Sequence, residues 1–284
     1  MADHSLIEWT HATWNPLIGC DVISPGCTNC YAMRLAGTRL KHTPSRSGLT
    51  IDSRAGPVWN GTVRFMDGWL HQPLHWCRSR DIFVVAHGDL FHAAVPDPLR
   101  DQVFAVMALA DWHRFQVLTK RPALMLAYFA DLHTKFRIRE ARYAVLRSSR
   151  KHITNASIDW VWPLPQVRLG ISAETGGWFH MRLPPLMALR QAGWRCWLSA
   201  EPLLGEIGLT EGVGTLEWVV AGGESGPNAR PVEANWLRVL RDQCADYGIP
   251  FFFKQWGEFR EGEHVGKAAA GAVLDGVEHR AVMA

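Results

Sequence analysis

The chain has 284 residues, 48% hydrophobic and 20% charged, with a formal charge of +3 at pH 7. That length and apolar content support a packed core without covalent staples, and six cysteines are too few for a disulfide scaffold. The small net charge excludes a uniformly polycationic binder, and no apolar run approaches the roughly 18 residues a membrane span needs. No charged-then-apolar leader precedes Glu8-Trp9, so a reducing, cytoplasmic setting is expected.

Cys20, Cys27 and Cys30 come first along the chain, close enough in sequence for three thiolates to meet one metal centre. Structural zinc takes four protein ligands, so a zinc knuckle would need His4 or His11 to complete it. A [4Fe-4S] cluster on three cysteines instead keeps one iron open, where S-adenosylmethionine would bind. Three reduced thiols without metal are the remaining reading. Cys77, Cys196 and Cys244 stand alone and read as packing. The Thr38 to Gly56 segment, rich in Ser, Arg, Lys and Gly, reads as a mobile loop or lid beside the cysteines.

Apolar runs of strand length follow, each ending in polar residues. Ile82–Ala86 leads to His87 and Asp89. A helix opens at Asp97-Pro98, with Pro at a first-turn position. Phe115–Leu118 leads to Thr119, Lys120 and Arg121, and a basic insert at about 131–163 follows, with cations from Lys135 to Lys151. Val167–Ile171 leads to Ser172 and Glu174, Cys196–Leu198 to Ser199 and Glu201, and Leu216–Ala221 to Gly222-Gly223-Glu224-Ser225. A helix over Asn235–Tyr247 stops at Gly248, and Ile249–Phe253 leads to Lys254 and Gln255.

Alternating strands and helices predict a parallel sheet, here a complete or partial TIM-type (β/α) barrel formed by residues 1–257 as a single domain. In such a barrel every strand's carboxyl end opens on one mouth. Glu174, Glu201 and Glu224 each stand three places after a predicted strand end, which places three exposed carboxylates around one rim. Gly222 and Gly223 would let bare N–H groups approach a ligand, and Glu224 could accept from an ammonium. Three cations, Lys120, Arg121 and Lys254, favour a phosphate or carboxylate ligand. Fourteen tryptophans, Trp9, Trp14, Trp178 and Trp256 among them near the mouth, read as core and cover, with base stacking as the alternative. Residues 258–284 read as a peripheral tail.

Ile7-Glu-Trp-Thr10, Thr13-Trp-Asn-Pro16, the cysteine motif, Asp89-Leu-Phe-His92, Gln116–Arg121, Glu201-Pro-Leu-Leu204, Gly222–Pro227 and Phe251–Gly257 together resemble a bacterial and phage family of uncharacterised three-cysteine-motif proteins. That family is similar to radical S-adenosylmethionine enzymes, distantly including spore photoproduct lyase, which repairs a thymine lesion in DNA. The resemblance implies a radical-type barrel, a [4Fe-4S] cluster on Cys20, Cys27 and Cys30, S-adenosylmethionine, an electron donor, and chemistry begun by a 5'-deoxyadenosyl radical. It implies that Tyr31 lies against adenine, that Ser172, Gly222, Gly223, Glu224 and Ser225 hold the cofactor, and that Glu174, Glu201 and Lys120 act at the reacting centre. Asp89, His92, Arg121, Lys254 and Gln255 would meet a nucleotide or nucleic acid undergoing repair or modification. The radical pattern has three residues between its first two cysteines where this chain has six, and its Gly-Gly-Glu follows an earlier strand. A non-catalytic metal-bearing nucleic-acid module, or an iron-sulfur nuclease or photolyase-like repair protein using the tryptophans, remain the alternatives.

Overall fold

The structure, a computed structural model, describes residues 5, 7–148 and 160–283. Seven strands form one sheet: β1 (Ala12–Trp14), β2 (Asp81–Val84), β3 (Arg114–Thr119), β4 (Val167–Ser172), β5 (Arg195–Ala200), β6 (Val219–Gly222) and β7 (Phe251–Gln255). Spatial order follows chain order and every neighbouring pair is parallel, with Ala12 opposite Ile82, Val117 opposite Leu169, and Val219 opposite Phe251. An unbroken succession of crossovers of one hand keeps the helices on one side and curls the sheet. The result is a mixed α/β fold with a parallel half-barrel; β1 and β7 stay unpaired with each other, so the barrel is partial.

The helices that matter for the site are α1 (Tyr31–Gly37), α2 (Asp97–Leu109), α3 (Pro122–Ala130), α4 (Thr134–Ser148), α5 (Gly176–Gln191) and α6 (Ala234–Asp246). Both sheet faces are buried, which is why the strands read as continuous apolar runs. Ile82, Val84, Val117, Leu169 and Leu198 pack under the helices. Phe83, Trp197, Val220 and Phe252 fill the opposite face with Trp9 and Trp218, whose indoles lie 5.2 to 5.8 Å from Trp197 and from each other. Trp14 and Trp256 are also core, their indole N–H groups donating to the Trp69 and Val273 carbonyls, so these tryptophans offer no stacking surface at the mouth.

Several expectations change. Residues 38–56 pack rather than form an open loop: Leu49 is fully buried, and Thr50–Ser53 pairs with Gly56–Trp59 against α1. The tail from 258 folds as two short hairpins and is not peripheral. Leu274 and Met283 are buried, and the Phe253 N–H donates to the His279 carbonyl along the otherwise open edge of β7. The basic insert forms α4, which packs along α2. Its Arg137 is held by Asp101 and Asp131 near the mouth, but the helix then runs away to Ser148, whose hydroxyl meets His71. Arg142 lies over the Trp160 ring. The stretch therefore does not line the mouth, and its end at Arg150 and Lys151 lies outside the described residues. Cys77 is exposed, whereas Cys196 and Cys244 are core. Among the described residues no helix is long and apolar enough to cross a membrane.

A candidate metal and cofactor site at the sheet mouth

The cysteine loop, residues 20–30, lies across the carboxyl ends of the strands, and each contact that holds it comes from a different strand end. After β4, Glu174 is fully buried: Oε1 accepts the Gly26 N–H at 3.0 Å, while Oε2 accepts from Lys120 Nζ at 3.1 Å and Arg182 Nη1 at 3.0 Å. Burial alone would raise its pKa. Lys120, the Ser24 hydroxyl, the Gly26 amide and Arg182 together overcome that and bring it down to about 2. A Cβ at position 26 would sit 2.9 Å from Lys120 Nζ and 3.1 Å from the Glu174 carboxyl carbon, so any other residue would push this ion pair aside.

After β6, Glu224 accepts from Asn29 Nδ2 at 2.8 Å and from Arg230 through Nε, Nη2 and the backbone N–H, and Arg230 Nη2 also donates to the Pro25 carbonyl at 3.0 Å. After β3, Arg121 donates to Asp89 at 2.7 Å and to Cys20 Sγ at 3.7 Å, and also contacts Asp21. After β2, the Ala86 carbonyl accepts from the Tyr31 hydroxyl at 2.6 Å, leaving the ring 49% exposed. The loop is thus tied at Cys20, Pro25, Gly26, Asn29 and Tyr31.

These ties overturn the expectation of exposed rim carboxylates. Glu174 and Glu224 are buried with their oxygens engaged by protein, so Glu224 does not offer itself to a ligand ammonium. Gly223 does not present the expected bare N–H to a ligand. Gly222's carbonyl accepts from Leu203, and Gly223's N–H donates to the Gln255 carbonyl at 2.9 Å. Position 223 is glycine because a Cβ would lie 1.8 Å from the Trp256 carbonyl oxygen. Asp89 and His92 are buried in a network with Thr119, Arg121 and Asp21 rather than facing a substrate. Ser172 is buried, its hydroxyl directed to the Glu201 carbonyl, and Gln255 is buried with its Nε2 donating to the Gly223 carbonyl. Ser225 is half-buried. Lys120, Arg121 and Lys254 are all ion-paired, so their charge is not free for a ligand. Glu201 and Lys254 form the more open pair, 2.5 Å apart with side chains 19% and 17% exposed.

Burial pushes the Cys20 thiol up to about 12, reinforced by Asp89 and slightly by Cys30, and opposed by Arg121. Burial likewise raises Cys30, with Cys27 adding to it. Cys30 is thus coupled to both Cys20 and Cys27, and Arg121 on Cys20 and Arg182 near Cys27 only partly offset the burial that keeps Cys20 and Cys30 protonated. Among the described residues no group of three or more His, Cys, Asp or Glu side chains is placed to hold a metal ion. His11 cannot supply a fourth ligand: it stands at the amino end of β1, where Nδ1 accepts the Asp81 N–H at 2.9 Å, at the opposite end of the sheet. His4 lies outside the described residues.

Sequence reasoning did not single out Asn29, Arg182 or Arg230. Asn29 sits inside the cysteine motif and Arg230 six residues after Glu224, so both lie within reach of a motif-based search. Nothing local marks Arg182, which becomes relevant only because α5 folds back over the end of β4.

Residues 4–283 match the model of a family described as "Protein of unknown function (DUF5131)", and the chain belongs to that family. No curated protein matches it. Among solved structures it is weakly similar to "Spore photoproduct lyase complexed with dinucleoside spore photoproduct", with 12% identity and a TM-score of 0.38, over 81% of this chain. The chain spans 60% of that chain's length.

Proposed function

We propose that the cysteine loop carries a [4Fe-4S] cluster on Cys20, Cys27 and Cys30, and that the protein is a radical S-adenosylmethionine-type enzyme acting on a nucleotide or nucleic acid. The observation that supports this reading is the loop itself: three cysteines in eleven residues, with His11 too far away to close a zinc site, lashed over the open end of a parallel half-barrel. Such a mouth is where barrel enzymes assemble their reacting groups. When bound, the cluster would supply one electron, delivered by an external donor, to the sulfonium of S-adenosylmethionine. The protein's own part is positional. Glu174, Asn29–Glu224 and Arg230 fix the loop, and Arg121 stabilises the Cys20 thiolate. Tyr31 offers a half-exposed ring on which an adenine or a substrate base can stack. Glu201 and Lys254 form the accessible ionisable pair beside it and can hold or move a proton at the substrate.

Anaerobic reconstitution with iron and sulfide, followed by metal analysis, tests the reading. The expected result is about four iron and four sulfide per chain and a brown colour, lost in Cys27→Ala while the circular dichroism of the fold is kept. Stoichiometric zinc in iron-replete, anaerobically prepared protein, without iron or sulfide, would overturn it.

A further inference from the structure

Arg46 is a buried cation without an anion. Only 8% of the residue is exposed; Nη1 donates to Ser45 Oγ at 2.7 Å, Nη2 donates to His87 Nδ1 at 3.2 Å, and Trp69 lies 5.6 Å from the guanidinium carbon. Nε is sealed from solvent and has no partner. Five other cations at the strand ends each have a carboxylate: Lys120 and Arg182 have Glu174, Arg121 has Asp89, Arg230 has Glu224, and Lys254 has Glu201, while the more exposed Arg34 donates to the Pro227 carbonyl. Among the described residues no carboxylate reaches Arg46. A guanidinium withdrawn from water without a counter-charge is strongly unfavourable, and replacing it with a neutral group would relieve the fold.

Its position is as informative as its charge. His87 follows β2 at the mouth, edge-on to the Tyr31 ring at 5.9 Å, and its carbonyl accepts the N–H of Gly19, the neighbour of Cys20. Burial, with Arg46 beside it, pushes the imidazole down to about 4, so the ring is neutral and Nδ1 accepts from Arg46. A guanidinium has five N–H donors, and two of its three nitrogens here use one each. With Nε sealed, the second N–H of each of Nη1 and Nη2 remains, and this pair suits two oxygens of a phosphate, while the half-exposed Tyr31 beside His87 suits a base.

We propose that Arg46 receives the phosphate group of a nucleotide on the Tyr31 flank of the cysteine loop. This rests on the reading of the mouth as a nucleotide site and adds the residue that holds the phosphate. Calorimetric titration of the full chain with AMP, adenosine and inorganic phosphate, with iron measured on the same sample, tests it. The wild type should bind AMP about tenfold or more tightly than adenosine, and bind inorganic phosphate weakly. Arg46→Gln should bind AMP and adenosine alike, and in phosphate-free buffer should be at least as resistant to urea as the wild type. Arg46→Lys, keeping the charge but losing the fork, should fall between them. Equal binding of AMP and adenosine by the wild type, binding of neither, or an Arg46→Gln protein that is less stable or fails to fold would overturn the proposal. Iron content decides the cluster reading separately, so the two can fail independently.

Discussion

Replacing Glu174 by Gln should destabilise the fold by ~3 kcal/mol at neutral pH, far more than the ~0.5 kcal/mol of an ordinary surface substitution. The carboxylate is fully buried between Lys120, 17% exposed, and Arg182, 3% exposed. Gln keeps nearly the same shape and can still accept the Gly26 N–H, so the loss is electrostatic: two inward cations are left without their anion. Removing one partner of a buried pair costs about 3–5 kcal/mol. The folded-state pKa gives a similar figure: between the ordinary 4.5 and about 2, at about 1.4 kcal/mol per pKa unit, the difference is ~3 kcal/mol. The sign follows from linkage. Because the folded pKa is depressed, the stabilisation is present above about 4.5 and is lost as pH falls from there towards about 2. Urea unfolding of wild type and Glu174→Gln should therefore diverge at pH 7 and converge as pH falls through that window. Adding Lys120→Met to Glu174→Gln should recover part of the loss, since one orphaned cation is then removed. A loss below ~0.5 kcal/mol at pH 7, or one independent of pH down to the limit of measurement, would refute the claim that this carboxylate anchors the loop.

Two further changes probe the glycine and the tail. Gly223→Ala places a methyl 1.8 Å from the Trp256 carbonyl oxygen, a backbone collision that cannot relax by turning a side chain; a loss of ~3 kcal/mol or an insoluble product is expected, and near wild-type urea resistance would show that β6 and β7 can separate. Deleting 271–284 removes buried Leu274 and Met283 and strips the β7 edge of its partner, so light scattering should report self-association, whereas a monodisperse, equally stable product would show the tail to be dispensable.

The fold was legible because its signals are local. Six strands of the sheet and the start of α2 stand out as apolar runs and a proline-opened helix, since a strand buried on both faces is apolar throughout. β1 is only three residues long and carries too little pattern to be read. α5 runs through Pro184-Pro185, with Leu183, Leu186 and Leu189 buried along it.

The cysteine loop and the polar strand ends were equally visible in the sequence, since both follow from residue type and spacing. What each polar residue does was not, because partners such as Glu174 and Gly26 stand 148 residues apart. Spacing after a strand end placed Glu174, Glu201 and Glu224 at one mouth, but only the tertiary structure decided that the first and last are buried and tie down the loop while Glu201 stays open with Lys254. The same holds for the cations. Sequence can count charges at the mouth, but ion pairing depends on distances between segments remote in the chain, and among the described residues those distances leave the buried Arg46, which no motif marks, without a carboxylate.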